Sequence, residues 1–169
     1  MMQHLAQAIS RTRRNHAVEH ATMHLLNRRF PTLHLAGWSS PFSFYIYGHV
    51  PAEAVQSTVH EALARLRRGE THLAIHPRCG TNVVTAGVLV GLTAFLAMLP
   101  GDDRDRRTRL PLVVLLSTIA VLLAQPLGLA VQQRITTDPH LLEGLEPRIS
   151  YGQAWRTPIH RIELASRGT

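Results

Sequence analysis

Two long uncharged segments dominate the hydrophobic pattern of the chain. Residues 83–99 (VVTAGVLVGLTAFLAML) and 110–131 (LPLVVLLSTIAVLLAQPLGLAV) contain no charged side chain. Each is close to the roughly 20 residues with which a helix crosses the hydrocarbon core of a bilayer. Two buried helices of a soluble bundle are the alternative, but such helices usually carry a polar stripe, and these two do not. The pattern therefore predicts a transmembrane helical hairpin over residues 83–131.

The flanking segments carry shorter patterns of both kinds. Before the hairpin, they predict one helix or two over 1–29, strands over about 32–38 and 42–47, a helix over 52–68 that Gly69 ends, and a strand over 71–76 (THLAIH). After the hairpin, RITT, EPRISY and TPIHRIEL are predicted strands separated by Pro and Gly. The predicted fold class is an α+β membrane protein, in which a small mixed helix and strand domain stands on a two-helix transmembrane hairpin.

The hairpin is predicted to interrupt the soluble domain. Residues 1–82 form the N-terminal part of that domain, residues 83–131 form the hairpin, and residues 132–169 form a β-rich C-terminal part. The formal charge is +7 and all 18 basic residues are arginine, which suits contact with the anionic headgroups of a lipid bilayer. The sequence has no aromatic-studded basic stretch and no nucleic-acid motif, so nucleic acid is not an expected partner.

The orientation of the hairpin is not decided by its flanking arginines. Four arginines lie in the loop PGDDRDRRTR at 100–109, and Arg68, Arg78 and Arg134 lie near the spans on the other side. Residues 1–30 lack the apolar h-region of a signal peptide, so we expect both termini in the cytoplasm. Gly87 and Gly91 form a GxxxG step inside the first span, a pattern that predicts a homo-oligomer.

The stretch HAVEHATMH at residues 16–24 carries the candidate chemistry. On a helix, His16, Glu19, His20 and His24 fall on one side. HAVEH is an H-x-x-E-H pattern, in which two histidines bind one tetrahedral metal and the carboxylate takes a proton from metal-activated water. The alternative is an exposed helix face in a His-rich sequence, and for His24, as for His4 and His34, that ordinary surface role is the preferred prediction.

The opposite side of the same helix is aliphatic. Val18, Ala21, Leu25 and Leu26 lie there and provide the packing for a core. The row of histidine and glutamate side chains is therefore predicted to face solvent, a cleft, or a second element with polar partners.

A third metal ligand is predicted in HPRCGT at residues 76–81. His76 and Cys79 are both good ligands for first-row metals, and Arg78 beside them could hold a carboxylate or an oxyanion. In the predicted strand, His72, Ala74 and His76 share one face. Cys79 is the one cysteine of the sequence, which excludes an intramolecular disulfide framework.

The two segments together resemble the YqhQ-like family of predicted metal-dependent prokaryotic membrane proteins and their smaller relatives. The resemblance covers about residues 14–99 and is strongest at His16, Glu19 and His20 and at His76 to Thr81. It implies that the two segments form one site and that the chain is an integral protein of a prokaryotic inner (cytoplasmic) membrane. H-x-x-E-H also resembles the inverted-motif zinc peptidases, whose third ligand is typically a downstream glutamate. No downstream glutamate here has a matching motif, so Cys79 or His76 is preferred and Glu61 is the fallback.

The predicted function is a membrane-anchored zinc-dependent hydrolase, a metallopeptidase that acts on a peptide or protein with Glu19 as general base. The metal is Zn²⁺ or another first-row divalent ion. One alternative is a membrane protein that holds a metal or cofactor without hydrolysis, which fits Met23, Cys79 and the many histidines. Another is a structural or assembly module of the membrane. The three differ at Glu19, which only a hydrolase needs as a base.

Overall fold

The computed structural model describes residues 1–99, 108–141 and 143–166. Two compact units are present, one made of Met1–His76 with Gln133–Thr169 and the other of Pro77–Gln132. The predicted hydrophilic loop between the two spans lies outside the described residues, apart from Thr108 and Arg109.

Four α-helices and four β-strands form within the described ranges. They are α1 (Met2–Arg29), β1 (Ala36–Ser39), β2 (Phe44–Tyr47), α2 (Ala52–Arg67), α3 (Gly80–Met98), α4 (Leu110–Val131), β3 (Leu145–Ala154) and β4 (Thr157–Ser166). A 3₁₀ turn covers Thr71–Ala74 and a π-helical segment covers Gln132–Thr136. The prediction of a mixed α+β chain is confirmed.

The first unit contains one antiparallel sheet in the order β1-β2-β4-β3. The central strands β2 and β4 pair Phe44 with Ile162 and Ile46 with His160. β3 and β4 form a hairpin of ten residue pairs that turns at Trp155, whose φ is +55°. The sheet therefore joins strands from both sides of the interrupting segment, as the sequence predicts for EPRISY and TPIHRIEL.

The helix α1 lies at the centre of this unit and packs against α2, the 3₁₀ turn, β1 and β2. The aliphatic face predicted for α1 is buried, and α2 contributes Val55, Val59 and Leu63 to the same core. Gly69, at φ +87°, follows the end of α2 in a conformation that favours glycine. The predicted helix over 52–68 is thus confirmed to within one residue.

Two predicted strands are wrong. THLAIH is not a strand, because Thr71–Ala74 forms a 3₁₀ turn that buries the consecutive residues Leu73 and Ala74. A strand would send those two side chains to opposite faces. The predicted shared face of His72, Ala74 and His76 is therefore wrong as well. RITT is also not a strand, since the π-helical segment Gln132–Thr136 covers most of it.

The second unit contains α3 and α4, which pack against each other. Both are long and apolar enough to cross a membrane, and their most hydropathic windows are 0% and 17% buried. That exposure is unlike the buried helices of a soluble core. Gln132 donates to Asn82 Oδ1 at 2.7 Å, and a Cβ at Gly128 would lie 3.0 Å from Asn82 Cα. Added Cβ atoms at Gly87 and Gly91 would meet no described atom within 4 Å, so the close approach inside this hairpin is at Gly128.

Candidate metal centre

His16 and His20 lie side by side on α1. Their spacing of four residues places the two rings one above the other on a helix, and the ring centroids are 4.2 Å apart. His16 is half-buried, whereas His20 is only 2% exposed. The predicted row therefore faces a second element with polar partners, and that element is the 3₁₀ turn after α2.

Backbone carbonyl groups orient three histidines of this row. His20 donates from Nδ1 to the Ala74 carbonyl at 2.7 Å, and His24 donates from Nε2 to the Ile75 carbonyl at 2.7 Å. His16 donates from Nδ1 to the Thr136 carbonyl at 3.0 Å. A neutral imidazole that donates from one ring nitrogen carries its lone pair on the other. Metal-binding histidines are typically oriented by such a bond, which fixes the tautomer and the direction of the ligating nitrogen.

His76 faces the same row from the segment that follows the 3₁₀ turn. Its ring centroid lies 5.7 Å from that of His20 and 4.7 Å from that of His24. Two imidazoles that share one tetrahedral zinc have ring centroids roughly 5 Å apart, given Zn–N bonds of about 2.0–2.1 Å. The observed separations lie on both sides of that value, and His76 is thus a ring neighbour of both His20 and His24.

Burial keeps His20 in the form that binds metal. Its pKa is lowered to about 3, mainly because burial penalises the charged imidazolium, and the neighbouring histidines add to this effect. The neutral ring is the form that ligates a metal ion. His20 is therefore a competent ligand at neutral pH.

Glu19 is a buried carboxylate that packs against β1 and accepts a hydrogen bond from it. It is 6% exposed, and Ser39 donates from Oγ to Glu19 Oε2 at 2.6 Å. Burial raises its pKa, while the Ser39 hydrogen bond and the nearby His16 act in the opposite direction. Gly37 lies against the same carboxylate, where an added Cβ would lie 2.7 Å from Glu19 Cδ. The sequence identified Glu19, whereas the supporting roles of Gly37 and Ser39 had no signal in it.

The remaining predicted site residues are Cys79, Arg78 and Glu61. Cys79 belongs to the second unit, where its sulfur accepts a hydrogen bond from the Thr81 N–H at 3.4 Å and caps α3. Arg78 precedes it and is exposed. By residue type, His16, His20 and Cys79 are a donor set that could hold a metal ion. Glu61 lies on the exposed side of α2 and pairs with Arg65 at 3.0 Å, so the structure does not bring it to the buried histidines.

His24 is the member of the row for which the sequence favoured an ordinary surface role. The structure instead places it against His76 and the Ile75 carbonyl. The sequence signal for including His24 was its spacing of four residues from His20, which places the two on the same side of α1. Its partner His76 is more than 50 residues away in the chain, so the local spacing could not indicate that contact.

A cavity of about 570 Å³ adjoins the carbonyl groups that hold the histidines. Its lining includes Ala74 and Ile75 together with the ionisable side chains of Arg13, His72, Asp138 and His140. Arg13 donates from Nη2 to the carbonyls of Thr137 and Arg134. The cavity thus has polar groups and the guanidinium of Arg13 in its lining.

Comparison with known sequences places the chain within a family. The model of the family described as "Domain of unknown function (DUF6391)" matches residues 11–145, a range that includes both histidine segments. An uncharacterized protein of the cyanobacterium Picosynechococcus sp. is 39% identical over 163 residues, which cover 90% of this chain and 78% of that protein. No solved structure matches the chain significantly. The finer resemblance to YqhQ-like proteins stays a prediction.

Proposed function

This chain belongs to the DUF6391 family, and we propose that it is a membrane-anchored zinc-dependent hydrolase of the metallopeptidase type. The observation that carries the proposal is the pair of ring contacts that His20 makes, with His16 and with His76, beside the buried carboxylate of Glu19. Histidine ligands next to one carboxylate are the parts that metal-assisted hydrolysis needs.

The proposed ligands are His16 and His20 with either Cys79 or His76 as the third, which leaves the fourth position of a tetrahedral zinc for water. Cys79 follows His76 by three residues, so the chain holds their Cα atoms within roughly 11 Å of each other. His24 lies eight residues after His16, which corresponds to about 12 Å along a helix axis. Because of this separation, the proposal does not include His24 among the ligands of a metal ion that His16 binds. Another first-row divalent ion could replace zinc, since imidazole and thiolate groups bind several of them.

A zinc ion held by these residues would act as a Lewis acid and would lower the pKa of a water molecule. Glu19 accepts the proton that this water loses as its oxygen bonds to the carbonyl carbon of the substrate. The C–N or C–O bond then breaks, and Glu19 returns the proton to the leaving amine or alcohol. A carboxylate whose pKa is raised by burial suits this task because it is a stronger base than an exposed one.

The proposed substrate is a peptide or protein. The 570 Å³ cavity beside the 3₁₀ turn offers Arg13 and two histidines to the polar groups of such a chain. Arg78, three residues before Thr81, is the proposed partner of a substrate carboxylate or of the oxyanion, because a guanidinium binds such groups through paired hydrogen bonds.

The proposed location is a prokaryotic inner membrane, crossed by α3 and α4 with both termini in the cytoplasm. The length, hydropathy and exposure of the two helices support the crossing. Self-association through Gly87 and Gly91 is part of the proposal. Both glycines have open space at their Cβ positions within the described residues, so a second helix could approach there.

A second candidate function is metal storage or transfer without hydrolysis. The observation that favours it is the pairing of His24 with His76, because it extends the row beyond the three ligands that one catalytic zinc requires. The metal content of His24→Ala distinguishes the two. A hydrolase centred on His16 and His20 keeps one metal ion per chain, whereas a storage row that uses His24 loses part of its metal.

The experiment for the hydrolase is elemental analysis of the full chain, purified in detergent without chelator, together with hydrolysis of a peptide library. We expect one zinc per chain in the wild type and in Glu19→Gln, and loss of zinc in His16→Ala and His20→Ala. His60→Ala, an exposed histidine on α2, is the matched control and should keep its metal. Hydrolysis should fall by about 10²–10⁴-fold in Glu19→Gln. A wild type without metal, or full hydrolysis in Glu19→Gln, would overturn the proposal.

A further inference from the structure

The helix α1 has two halves with different surroundings. Its buried residues begin at Asn15, and ten of the residues from there to Leu26 are buried. None of residues 2–14 is buried. The first half is therefore an extension of about 20 Å, which continues from the buried half and is hydrogen-bonded to its domain at Arg13.

An apolar stripe runs along that exposed half. Met2, Leu5 and Ile9 lie on one side of the helix and are 84%, 63% and 52% exposed. We call these three residues the N-terminal stripe. Gln3, Gln7 and Arg14 lie on the opposite side. Short helices are marginal in water, and the packing of an apolar face usually supplies their stability. The stripe thus has the pattern of a helix that packs against a partner.

The charge of the same segment selects the kind of partner. Between Met1 and Val18 no aspartate or glutamate occurs, and the first half of α1 carries Arg11, Arg13 and Arg14. The guanidinium of Arg13 is engaged with backbone carbonyls, whereas Arg11 is exposed and Arg14 is half-exposed. An apolar stripe with arginines on the opposite, polar side and without acidic residues is typical of helices that lie in the interface of an anionic bilayer.

We propose that residues 2–14 of α1 dock on an anionic lipid surface. The N-terminal stripe enters the boundary between headgroups and acyl chains, and Arg11 and Arg14 contact the lipid phosphates. This docking rests on the proposed membrane anchoring, because α3 and α4 keep the chain at a bilayer, but it requires no bound metal. It gives the first half of α1 the apolar environment that its own domain does not provide.

The test is hydrogen exchange of the full chain in nanodiscs that each hold one copy. Discs of pure phosphatidylcholine are compared with discs rich in phosphatidylglycerol. We expect the protection of amides 5–14 to be about tenfold higher in the anionic discs, and to return to the lower value in Leu5→Gln/Ile9→Gln. The matched variant Gln3→Asn/Gln7→Asn changes the opposite side and should keep the gain.

The other outcomes overturn the proposal. Equal protection in both kinds of disc would exclude docking on anionic lipid. Protection that appears only when two copies share a disc would assign the stripe to a second copy of the chain. Retention of the protein in the discs after a high-salt wash reports the anchoring by α3 and α4 separately, so a failure of the anchor and a failure of the docking give different results.

Discussion

Gly37 on β1 lies directly against the carboxylate of Glu19 on α1. An added Cβ at this glycine would overlap Oε1 and would lie 2.7 Å from Cδ of the glutamate. Ser39, two residues further along β1, donates its hydroxyl to the other carboxylate oxygen. One short edge strand thus provides both the space and the hydrogen bond that hold the proposed base.

Gly37→Ala should displace the Glu19 carboxylate. The overlap requires either the strand or the buried glutamate to move, so we expect a destabilisation of about 1–3 kcal/mol, the usual range for overpacking. Thermal unfolding of the detergent-purified chain measures this. Gly152→Ala on β3 is the control, because an added Cβ there meets no described atom within 4 Å. Equal stability in the two variants would contradict the close packing of Gly37 against the Glu19 carboxylate.

Ser39→Ala should raise the pKa of Glu19 further. The Ser39 hydrogen bond favours the charged carboxylate, so its loss adds to the effect of burial. If Glu19 is the base, the acidic limb of the pH–rate profile moves to higher pH, while Ser39→Thr keeps the hydroxyl and the original limb. The profile of peptide hydrolysis, recorded for both variants, checks this, and an unchanged limb in Ser39→Ala would count against Glu19.

His160 should make stability depend on pH in the acidic range. It is buried on β4, its ring lies 5.4 Å from that of Tyr151, and burial lowers its pKa below the ordinary 6.5. Below pH 6.5 the unfolded chain binds a proton at His160 before the folded chain does, so the free energy of unfolding falls as the pH falls from 6.5 toward the folded-state pKa.

The measurement compares wild type with His160→Leu, which cannot be protonated. The difference in unfolding free energy between the two should be constant above about pH 7 and should shift in favour of the variant as the medium becomes more acidic. Parallel curves from pH 7 to pH 4 would show that His160 does not contribute.

Gly128→Ala should weaken the packing of α3 against α4. The added Cβ would lie 3.0 Å from Asn82 Cα, a distance at which the two helices must separate slightly. Gly80→Ala, outside the GxxxG step, adds the same atom into open space and should leave the hairpin unchanged. Thermal aggregation of the two variants in the same detergent compares them, and an equal or lower midpoint in Gly80→Ala would contradict the close approach at Gly128.

The sequence by itself determined the elements whose cause is local. A span of apolar residues without charges predicts α3 and α4, and the helical repeat places His16, Glu19 and His20 on one side of α1 whatever surrounds it. The boundaries of α2 follow from Pro51 and Gly69 for the same reason.

Tertiary structure decided the features that depend on contacts between residues distant in the chain. The alternation of THLAIH suits a strand, but the adjacent residues Leu73 and Ala74 are both buried and the segment forms a 3₁₀ turn. That turn offers the carbonyls of Ala74 and Ile75 to His20 and His24. A hydrogen bond between residues about 50 positions apart produces no periodic pattern in the sequence. Only the packing of separate elements brings its donor and its acceptor together.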